Sequence, residues 1–78
     1  MDASELILYM ARNLVESPDQ VTLTRNERDN GVEYELRVAA RDLGKVIGRN
    51  GKTVRSMRTV LGAVLARTGE RAQLKVDG

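Results

Sequence analysis

Two glycines three residues apart, Gly48 and Gly51, constrain the fold of this chain more than any other feature, because they interrupt a stretch of helical pattern. Glycine has a low helix propensity and is typical of turns, so the segment Gly48-Arg49-Asn50-Gly51 is too rich in glycine to lie inside a helix. Before it, residues 41–47 predict a short helical turn that Gly44 interrupts and Gly48 closes. After it, apolar residues at a period of 3.6 predict a long helix that ends near Gly69: Val54, Met57, Val60, Leu61, Val64 and Leu65.

The rest of the chain has one more helical pattern and three strand patterns. Apolar residues recur at helical spacing over residues 2–15, and Asp2 followed by Glu5 is typical of a helix start, so we expect a helix that ends before Pro18. The turn Asp29-Asn30-Gly31 separates two alternating segments and predicts a β-hairpin. Apolar residues alternate in its strands at Val21 and Leu23, then at Val32, Tyr34, Leu36 and Val38, and in a last strand at Ala72, Leu74 and Val76.

The predicted order helix-strand-strand-helix-helix-strand defines an α+β fold. A length of 78 residues suits one domain, so we expect residues 1–78 to form a single domain. The hairpin makes the first two strands antiparallel, whereas a crossover of about thirty residues through two helices suits a parallel connection to the third strand. The three strands would then form a mixed sheet with the helices packed on one face.

Composition argues against several classes of function. Cysteine and histidine are both absent, which removes disulfides, thiol nucleophiles, most zinc sites and the commonest general base. We therefore expect no enzyme, no metal site and no cofactor. No apolar run approaches the roughly 20 residues needed to span a bilayer, and the first residues lack the pattern of a secretion signal. We expect a cytoplasmic protein with no membrane partner.

Basic residues cluster around and after the glycines. The chain has 13 lysines and arginines against 11 acidic residues, a weak bias toward anionic partners. Residues 45–58 contain no carboxylate and hold five cations: Lys45, Arg49, Lys52, Arg55 and Arg58. Glycines let a sugar-phosphate strand approach the backbone, Arg49 and Asn50 supply hydrogen-bond donors, and the start of the next helix attracts phosphate. For Lys52, Arg55 and Arg58, a solvated helix face explains the charge about as well as contact with a nucleic acid does.

The string Val46-Ile47-Gly48-Arg49-Asn50-Gly51-Lys52-Thr53-Val54 resembles the V-I-G-x-x-G-x-x-I signature of the KH domain. Val54 stands where the signature has its last isoleucine and is one methylene smaller. The predicted order of elements is similar to the type II form of this domain. The length, the N-terminal helix and the string from Gly44 to Thr59 are similar to the stand-alone bacterial KH proteins of the KhpA family.

The resemblance implies a protein that binds single-stranded RNA, as a small RNA chaperone or post-transcriptional regulator. In such a protein the loop clamps the backbone of about four nucleotides, and the bases lie in an aliphatic groove. The groove walls would include Leu43, Gly44, Ile47, Val54 and residues of the second strand such as Leu36 and Val38. The residues assigned to RNA are Gly44, Lys45, Ile47, Gly48, Arg49, Asn50, Gly51, Lys52, Val54, Arg55 and Arg58. The resemblance also implies a homodimer or a heterodimer with a larger Jag-type KH protein, and no small-molecule substrate.

Other interpretations compete with RNA binding. A G-x-x-G on its own is more often an ordinary turn, although the apolar and basic residues around this one favour RNA. Gly51-Lys52-Thr53 matches the end of the nucleotide-binding motif G-x-x-x-x-G-K-[ST], but the glycine that this motif needs at position 46 is Val46. Two tyrosines and no other aromatic residue argue against the stacking surface of an RRM or an OB-fold.

The main alternative is an interaction module that acts through a partner. Gly62 lies inside the predicted long helix, where glycine is unfavourable by about 1 kcal/mol relative to alanine. Either the helix is locally loose there, or another backbone, including that of a second subunit, packs closely against it. An enzyme ranks third, because no constellation of carboxylates and lysine defines a pocket.

Overall fold

The computed structural model describes residues 2–78. Met1, which the expected single domain of residues 1–78 includes, lies outside the described residues. The main elements are α1 (Ala3–Leu14), β1 (Thr22–Arg28), β2 (Gly31–Arg37), α2 (Leu43–Ile47), α3 (Lys52–Leu65) and β3 (Ala72–Asp77). Short 3-10 turns lie at Pro18–Gln20, Ala40–Asp42 and Arg49–Gly51. The predicted α+β fold and its order of elements are confirmed.

Helix α1 begins where the sequence predicts it. Oδ1 of Asp2 accepts a hydrogen bond from the backbone N–H of Glu5 at 2.8 Å, which satisfies one of the free amides of the first turn. Ala3, Ile7 and Ala11 follow at intervals of four residues and are all buried. Helix α1 therefore packs along one stripe against the rest of the fold.

The sheet has the order β1-β2-β3, with β2 in the centre. Strands β1 and β2 are antiparallel, and Arg28 pairs with Gly31 across a two-residue turn. Strands β2 and β3 are parallel, with Val32 paired to Ala72 and Leu36 to Val76. The predicted mixed sheet with a parallel crossover is confirmed.

Gly31 is needed where β3 joins β2. Its φ of +148° favours glycine, and a Cβ there would overlap the carbonyl group of Arg71. That carbonyl accepts the N–H of Val32 at 2.8 Å, which starts the parallel pairing. A larger residue at position 31 would therefore disturb the hairpin and β3 together.

The two faces of the sheet differ in character. Val32, Tyr34 and Leu36 of β2 are buried beneath the helices, and they share a fully enclosed core with Ile7, Val46 and Leu61. The opposite face is polar and carries the alternate residues of β2 and β3: Glu33, Glu35, Arg37, Gln73, Lys75 and Asp77. Within residues 2–78 no aromatic side chain lies on this open face, so it offers no platform on which bases could stack.

The structure of α2 differs from the expectation that Gly44 interrupts its helical turn. Gly44 does not interrupt the helical turn but lies inside α2, and its carbonyl oxygen accepts the N–H of Gly48 at 2.9 Å. Tertiary packing overrides the low propensity of glycine here, because Val46 is completely buried and anchors the short helix. Gly48 ends the helix, as predicted, with a φ of +79°.

A buried carboxylate joins the beginning of α2 to the segment after α1. Asp42 is 0% exposed, and its two oxygens accept the N–H groups of Glu16 and Ser17, each at 3.1 Å. Nη2 of Arg41 donates to Oγ of Ser17 at 2.6 Å and adds a second link. The hydrogen bond from the Glu16 amide, followed by that from the Ser17 amide, holds the pKa of Asp42 below its ordinary value of 3.8 against the effect of burial.

Within residues 2–78, every helix is too short or too polar to span a lipid bilayer.

Candidate nucleic-acid interface

The segment Gly48–Gly51, here called the GxxG loop, is a tight turn between α2 and α3. Gly48 has φ +79° and ψ 170°, a region that is almost exclusive to glycine. Asn50 and Gly51 both adopt left-handed conformations, with φ of 57° and 74°. Asparagine tolerates this region better than most residues. The loop sequence is thus matched to the path of its own backbone.

Gly48 has a second, steric requirement. A Cβ at position 48 would overlap Oγ1 of Thr53 and would lie 2.7 Å from its Cβ and 2.8 Å from its backbone nitrogen. A Cβ at Gly51, by contrast, would meet no atom within 4 Å. The first glycine of the loop is therefore fixed by conformation and by packing, and the second by conformation alone.

In the GxxG loop the backbone carbonyls and the backbone amides differ in whether they have hydrogen-bond partners within the protein. The Gly48 carbonyl accepts the N–H of Gly51 at 3.1 Å. Arg55 donates from Nη2 to the Asn50 carbonyl at 2.7 Å and from Nε to the Gly51 carbonyl at 3.3 Å. The amides of Arg49 and Asn50 have no acceptor among the described residues. The carbonyls are satisfied inside the protein while two N–H groups remain available, which favours an anion.

Two cationic side chains that form no ion pair among the described residues lie beside these amides. Arg49 and Lys52 are exposed, and neither has a carboxylate within 4 Å in the part of the chain that the structure describes. Both lie at the N-terminal end of α3, where the helix dipole also favours negative charge. The loop therefore combines free amides, exposed positive charges and a helix start in one place.

Lys45 does not belong to this group. Its Nζ lies 2.7 Å from Oε1 of Glu16 and 3.9 Å from Oδ1 of Asp42. The hydrogen bond from Lys45 lowers the pKa of Glu16 from its ordinary value. Residues 45–58 contain no carboxylate, but the fold brings one close to them, because Glu16 reaches Lys45 from the segment after α1.

Arg55 and Arg58 both have partners within the protein. Arg55 ties down the loop through the two hydrogen bonds described above. Arg58 donates from Nε and Nη2 to the carbonyl oxygen of Leu74 on β3, at 3.2 and 3.0 Å. Neither guanidinium has a carboxylate within 4 Å among residues 2–78, so both keep an uncompensated positive charge.

The expected groove walls are only partly correct. Leu36 and Val38 are 0% and 3% exposed, so they lie in the core and cannot line an open groove. The strand beside the helices is instead β3, which contacts both α2 and α3. On the helix side, Gly44 is exposed and Ile47 is half-buried. Val54 is 7% exposed and belongs to the hydrophobic core.

Comparison with known proteins defines the family. The family described as KhpA/KhpB, KH domain, matches residues 4–76. The chain belongs to the KhpA/KhpB family of KH domains. The family predicted from the GxxG loop and its flanking residues is thereby confirmed.

Individual relatives of this KH domain are similar over most of their length. The RNA-binding protein KhpA of Borreliella burgdorferi is 43% identical over 72 residues, which cover 92% of this chain and 88% of the relative. The proteins of the same name from Chlamydia trachomatis and Listeria monocytogenes are 38% and 35% identical, again over 92% of this chain and over 92% and 95% of their own.

Sequence reasoning missed the contribution of β3 to the surface of this KH domain. The Leu74 carbonyl, Ala72 and Gln73 line a cavity with Arg58 that no local pattern indicates. The alternation of Ala72, Leu74 and Val76 predicts a strand with one apolar side, but it does not say which edge of the strand stays open. Within residues 2–78 no cluster of three or more potential metal ligands occurs.

Proposed function

We propose that this KH domain binds single-stranded RNA through the GxxG loop and the groove between α2, α3 and β3. The proposal rests on the hydrogen bonding of the loop backbone. The carbonyls are bonded within the protein, whereas the amides of Arg49 and Asn50 are free. A phosphodiester is an acceptor with no donor of its own, so it complements two free N–H groups beside Arg49 and Lys52.

The proposed division of labour follows from the surroundings of each residue. Gly48 and Gly51 shape the loop, Arg49, Asn50 and Lys52 contact phosphates, and Gly44 and Ile47 border the space for bases. Arg55 acts on RNA mainly by holding the loop. Lys45 contributes little because its charge is balanced by Glu16. We propose no reaction, no cofactor and no small-molecule substrate.

A module with so few phosphate contacts should bind weakly and with a strong dependence on salt. We expect a dissociation constant on the order of micromolar or weaker, and a slope of log K against log salt of about −0.7 for each phosphate contact. Such a protein suits transient action on many transcripts. We therefore propose a small RNA chaperone or post-transcriptional regulator that works in the cytoplasm.

The proposal is tested by titrating fluorescent single-stranded RNA, and the corresponding duplex, with wild type and with the double variant Arg49→Asp, Asn50→Asp. Asp tolerates the left-handed conformation of position 50, so the loop shape should survive. A matched control is Arg67→Asp with Gln20→Glu, which changes net charge equally at two exposed positions away from the loop. We expect only the loop variant to lose binding, and wild type to prefer the single strand. Equal affinities of the two folded double variants would disprove the role of the loop.

A second candidate function is pairing with another KH protein, and one surface favours it. Tyr9, Leu14, Val60 and Val64 are large apolar residues of α1 and α3 that remain exposed, Tyr9 by 60%. Tyr9, Leu14 and Val60 also border one apolar cavity between the two helices. A homodimer or a heterodimer with a larger Jag-type KH protein would cover this face. Two linked RNA sites would then raise the effective affinity.

Light scattering over a range of concentrations tests homodimerisation. We expect the mass to rise with concentration in wild type and to stay monomeric in Val60→Asp, with circular dichroism confirming that the variant is folded. A constant monomeric mass of wild type would rule out the homodimer, and mixing with a purified Jag-type KH protein then tests the heterodimer separately.

A further inference from the structure

Lys45 differs from the other four cations of residues 45–58 in having carboxylates beside it. Its Nζ lies 2.7 Å from Oε1 of Glu16 and 3.9 Å from Oδ1 of Asp42. The other four have no carboxylate within 4 Å in the part of the chain that the structure describes: Arg49, Lys52, Arg55 and Arg58. The fold thus neutralises one cation next to the GxxG loop and leaves the others uncompensated.

The two carboxylates beside Lys45 differ in what else holds them. Asp42 is completely buried, and both of its oxygens accept backbone N–H groups. The side chain of Glu16 is 61% exposed, and Lys45 is its only hydrogen-bond or ion-pair partner among residues 2–78. The Glu16 carboxylate is therefore the one that can be removed, or lose its partner, without consequence for the core.

The structural role of Glu16 belongs to its backbone. The N–H of Glu16 donates to Oδ1 of Asp42 at 3.1 Å and so helps to join the segment after α1 to the start of α2. Glutamine at position 16 keeps this N–H and nearly the same side-chain shape. Glu16→Gln therefore removes the negative charge beside Lys45 and leaves the link between the two segments in place.

Lys45 is close enough to the GxxG loop for its ammonium group to serve there. It lies three residues before Gly48, which corresponds to about 4.5 Å along α2. Val46 is completely buried and fixes the short helix, whereas the side chain of Lys45 is 44% exposed. Lysine carries a compact charge on a flexible four-carbon stem, so Nζ can exchange one anionic partner for another while the backbone stays where it is.

We propose that Glu16 withholds Lys45 from the RNA backbone and thereby limits the affinity of this KH domain for RNA. A carboxylate and a phosphodiester are both anionic acceptors, so they compete for the same ammonium group. An ion pair between exposed side chains is worth little, so a single charge is enough to shift this competition. The inference rests on the proposed RNA binding and adds to it a residue, remote from the loop in sequence, that sets the strength of binding.

The experiment is a double-mutant cycle measured by fluorescence anisotropy with single-stranded oligouridine at several salt concentrations. Glu16→Gln should raise the affinity by about twofold to fivefold, the range that corresponds to an exposed ion pair. The slope of log K against log salt should become more negative by about 0.7, as expected for one added phosphate contact. Lys45→Gln should bind nearly as wild type does, and the double variant should bind as Lys45→Gln does.

Asp19→Asn is the matched control for the change in net charge. Asp19 is exposed in the same connection between α1 and β1, and it has no ion-pair partner in the described part of the chain. Any general effect of charge on the binding of a polyanion appears in both variants. We expect a smaller gain from Asp19→Asn, and the same gain when Lys45→Gln is added. Circular dichroism confirms that each variant is folded.

Lys45→Arg combined with Glu16→Gln is a further check, because arginine restores the positive charge that the proposal requires. This variant should keep the gain in affinity that Lys45→Gln abolishes. A loss of the gain in the arginine variant would show that the charge of residue 45 is not what Glu16 restrains.

Three other results would overturn the proposal while leaving the loop hypothesis intact. The first is a gain from Glu16→Gln no larger than that from Asp19→Asn, and the second is a gain that persists in the double variant with Lys45→Gln. The third is a loss of affinity in Lys45→Gln as large as that in Lys52→Gln, which would mean that Lys45 contacts RNA although Glu16 is present. Failure of wild type to bind any oligonucleotide would overturn the proposed function and this inference together.

Discussion

Nη2 of Arg55 lies 2.7 Å from the carbonyl oxygen of Asn50, so a residue in the second turn of α3 holds the loop from which α3 begins. The same guanidinium reaches the Gly51 carbonyl through Nε. Arg55 therefore brings both a positive charge and a planar set of donors to the loop. Substitution by lysine, which keeps only the charge, can separate the two effects.

Arg55→Lys should weaken RNA binding nearly as much as Arg55→Ala does. Lysine keeps the positive charge but cannot donate in the planar fork that reaches two carbonyls. We expect a loss of about fivefold for each variant, equivalent to one net hydrogen bond of about 1 kcal/mol. Fluorescence anisotropy measures it, with Arg67→Lys as the control. Full affinity of the Arg55→Lys variant would show instead that Arg55 acts through its charge alone.

Gly48→Ala should destabilise the fold more than Gly51→Ala. Both positions have positive φ, which is unfavourable for alanine by about 1–2 kcal/mol, but only at Gly48 would the new Cβ collide with Thr53. Chemical denaturation compares the two variants. Adding Thr53→Ala to the Gly48→Ala variant should not restore its stability, because the contacts with the Cβ and backbone nitrogen of Thr53 remain. Equal stability of the two single variants would contradict the steric explanation.

Gly44→Ala should increase the stability of the fold and lower its affinity for RNA. Gly44 lies exposed in α2 and an added Cβ meets no atom within 4 Å, so alanine should stabilise the helix by about 0.5–1 kcal/mol. The same methyl group projects where we propose that the RNA approaches, so we expect lower affinity. Denaturation and RNA titration of one preparation measure both quantities. A variant that is more stable and binds RNA as well as wild type would remove Gly44 from the interface.

Because of Asp42, the free energy of unfolding should decrease as the pH falls in the acid range. The pKa of Asp42 in the folded state is lowered, mainly by the hydrogen bond from the Glu16 amide. Its contribution to the free energy of unfolding is therefore complete above about pH 4 and is lost as pH falls through the folded pKa. Asp42→Asn should unfold at a lower temperature than wild type at pH 7, because the amide nitrogen cannot accept a second N–H. Thermal unfolding from pH 7 downward measures the difference, which should shrink below pH 4.

Asp19→Asn, an exposed substitution in the Pro18–Gln20 turn, is the control for this series. It should follow wild type at every pH. A difference between wild type and Asp42→Asn that stays constant into strong acid would show that the charge of Asp42 contributes nothing.

Apart from the parallel crossover to β3, which follows from the length of the connection, the features that the sequence predicts correctly are local ones. The capping of α1 by Asp2, the hairpin at Asp29-Asn30 and the turn at Gly48 each depend on residues within a few positions of one another. Short-range backbone preferences determine them, so a single sequence suffices. The family follows from the same local signature around the GxxG loop.

The features that the sequence does not predict join distant parts of the chain. The family resemblance implies that Leu36 lines the groove, but the helices cover that side of β2 completely. Arg58 donates to the carbonyl of Leu74, sixteen positions away, and Lys45 pairs with Glu16 in the segment after α1. No spacing rule for helices or strands connects such pairs, so their partners emerge only from the assembled fold.

The separation between residues that shape the loop and residues that face outward has an evolutionary consequence. Gly48 cannot change without collision, and position 50 is limited to residues that accept a left-handed backbone, whereas Arg49 has neither constraint. Substitution at position 49 would therefore retune the proposed binding of anions in a single step while the architecture stays intact. With the proposed function, a lineage that carries this loop would be able to adapt its affinity to a new set of transcripts without passing through unstable intermediates.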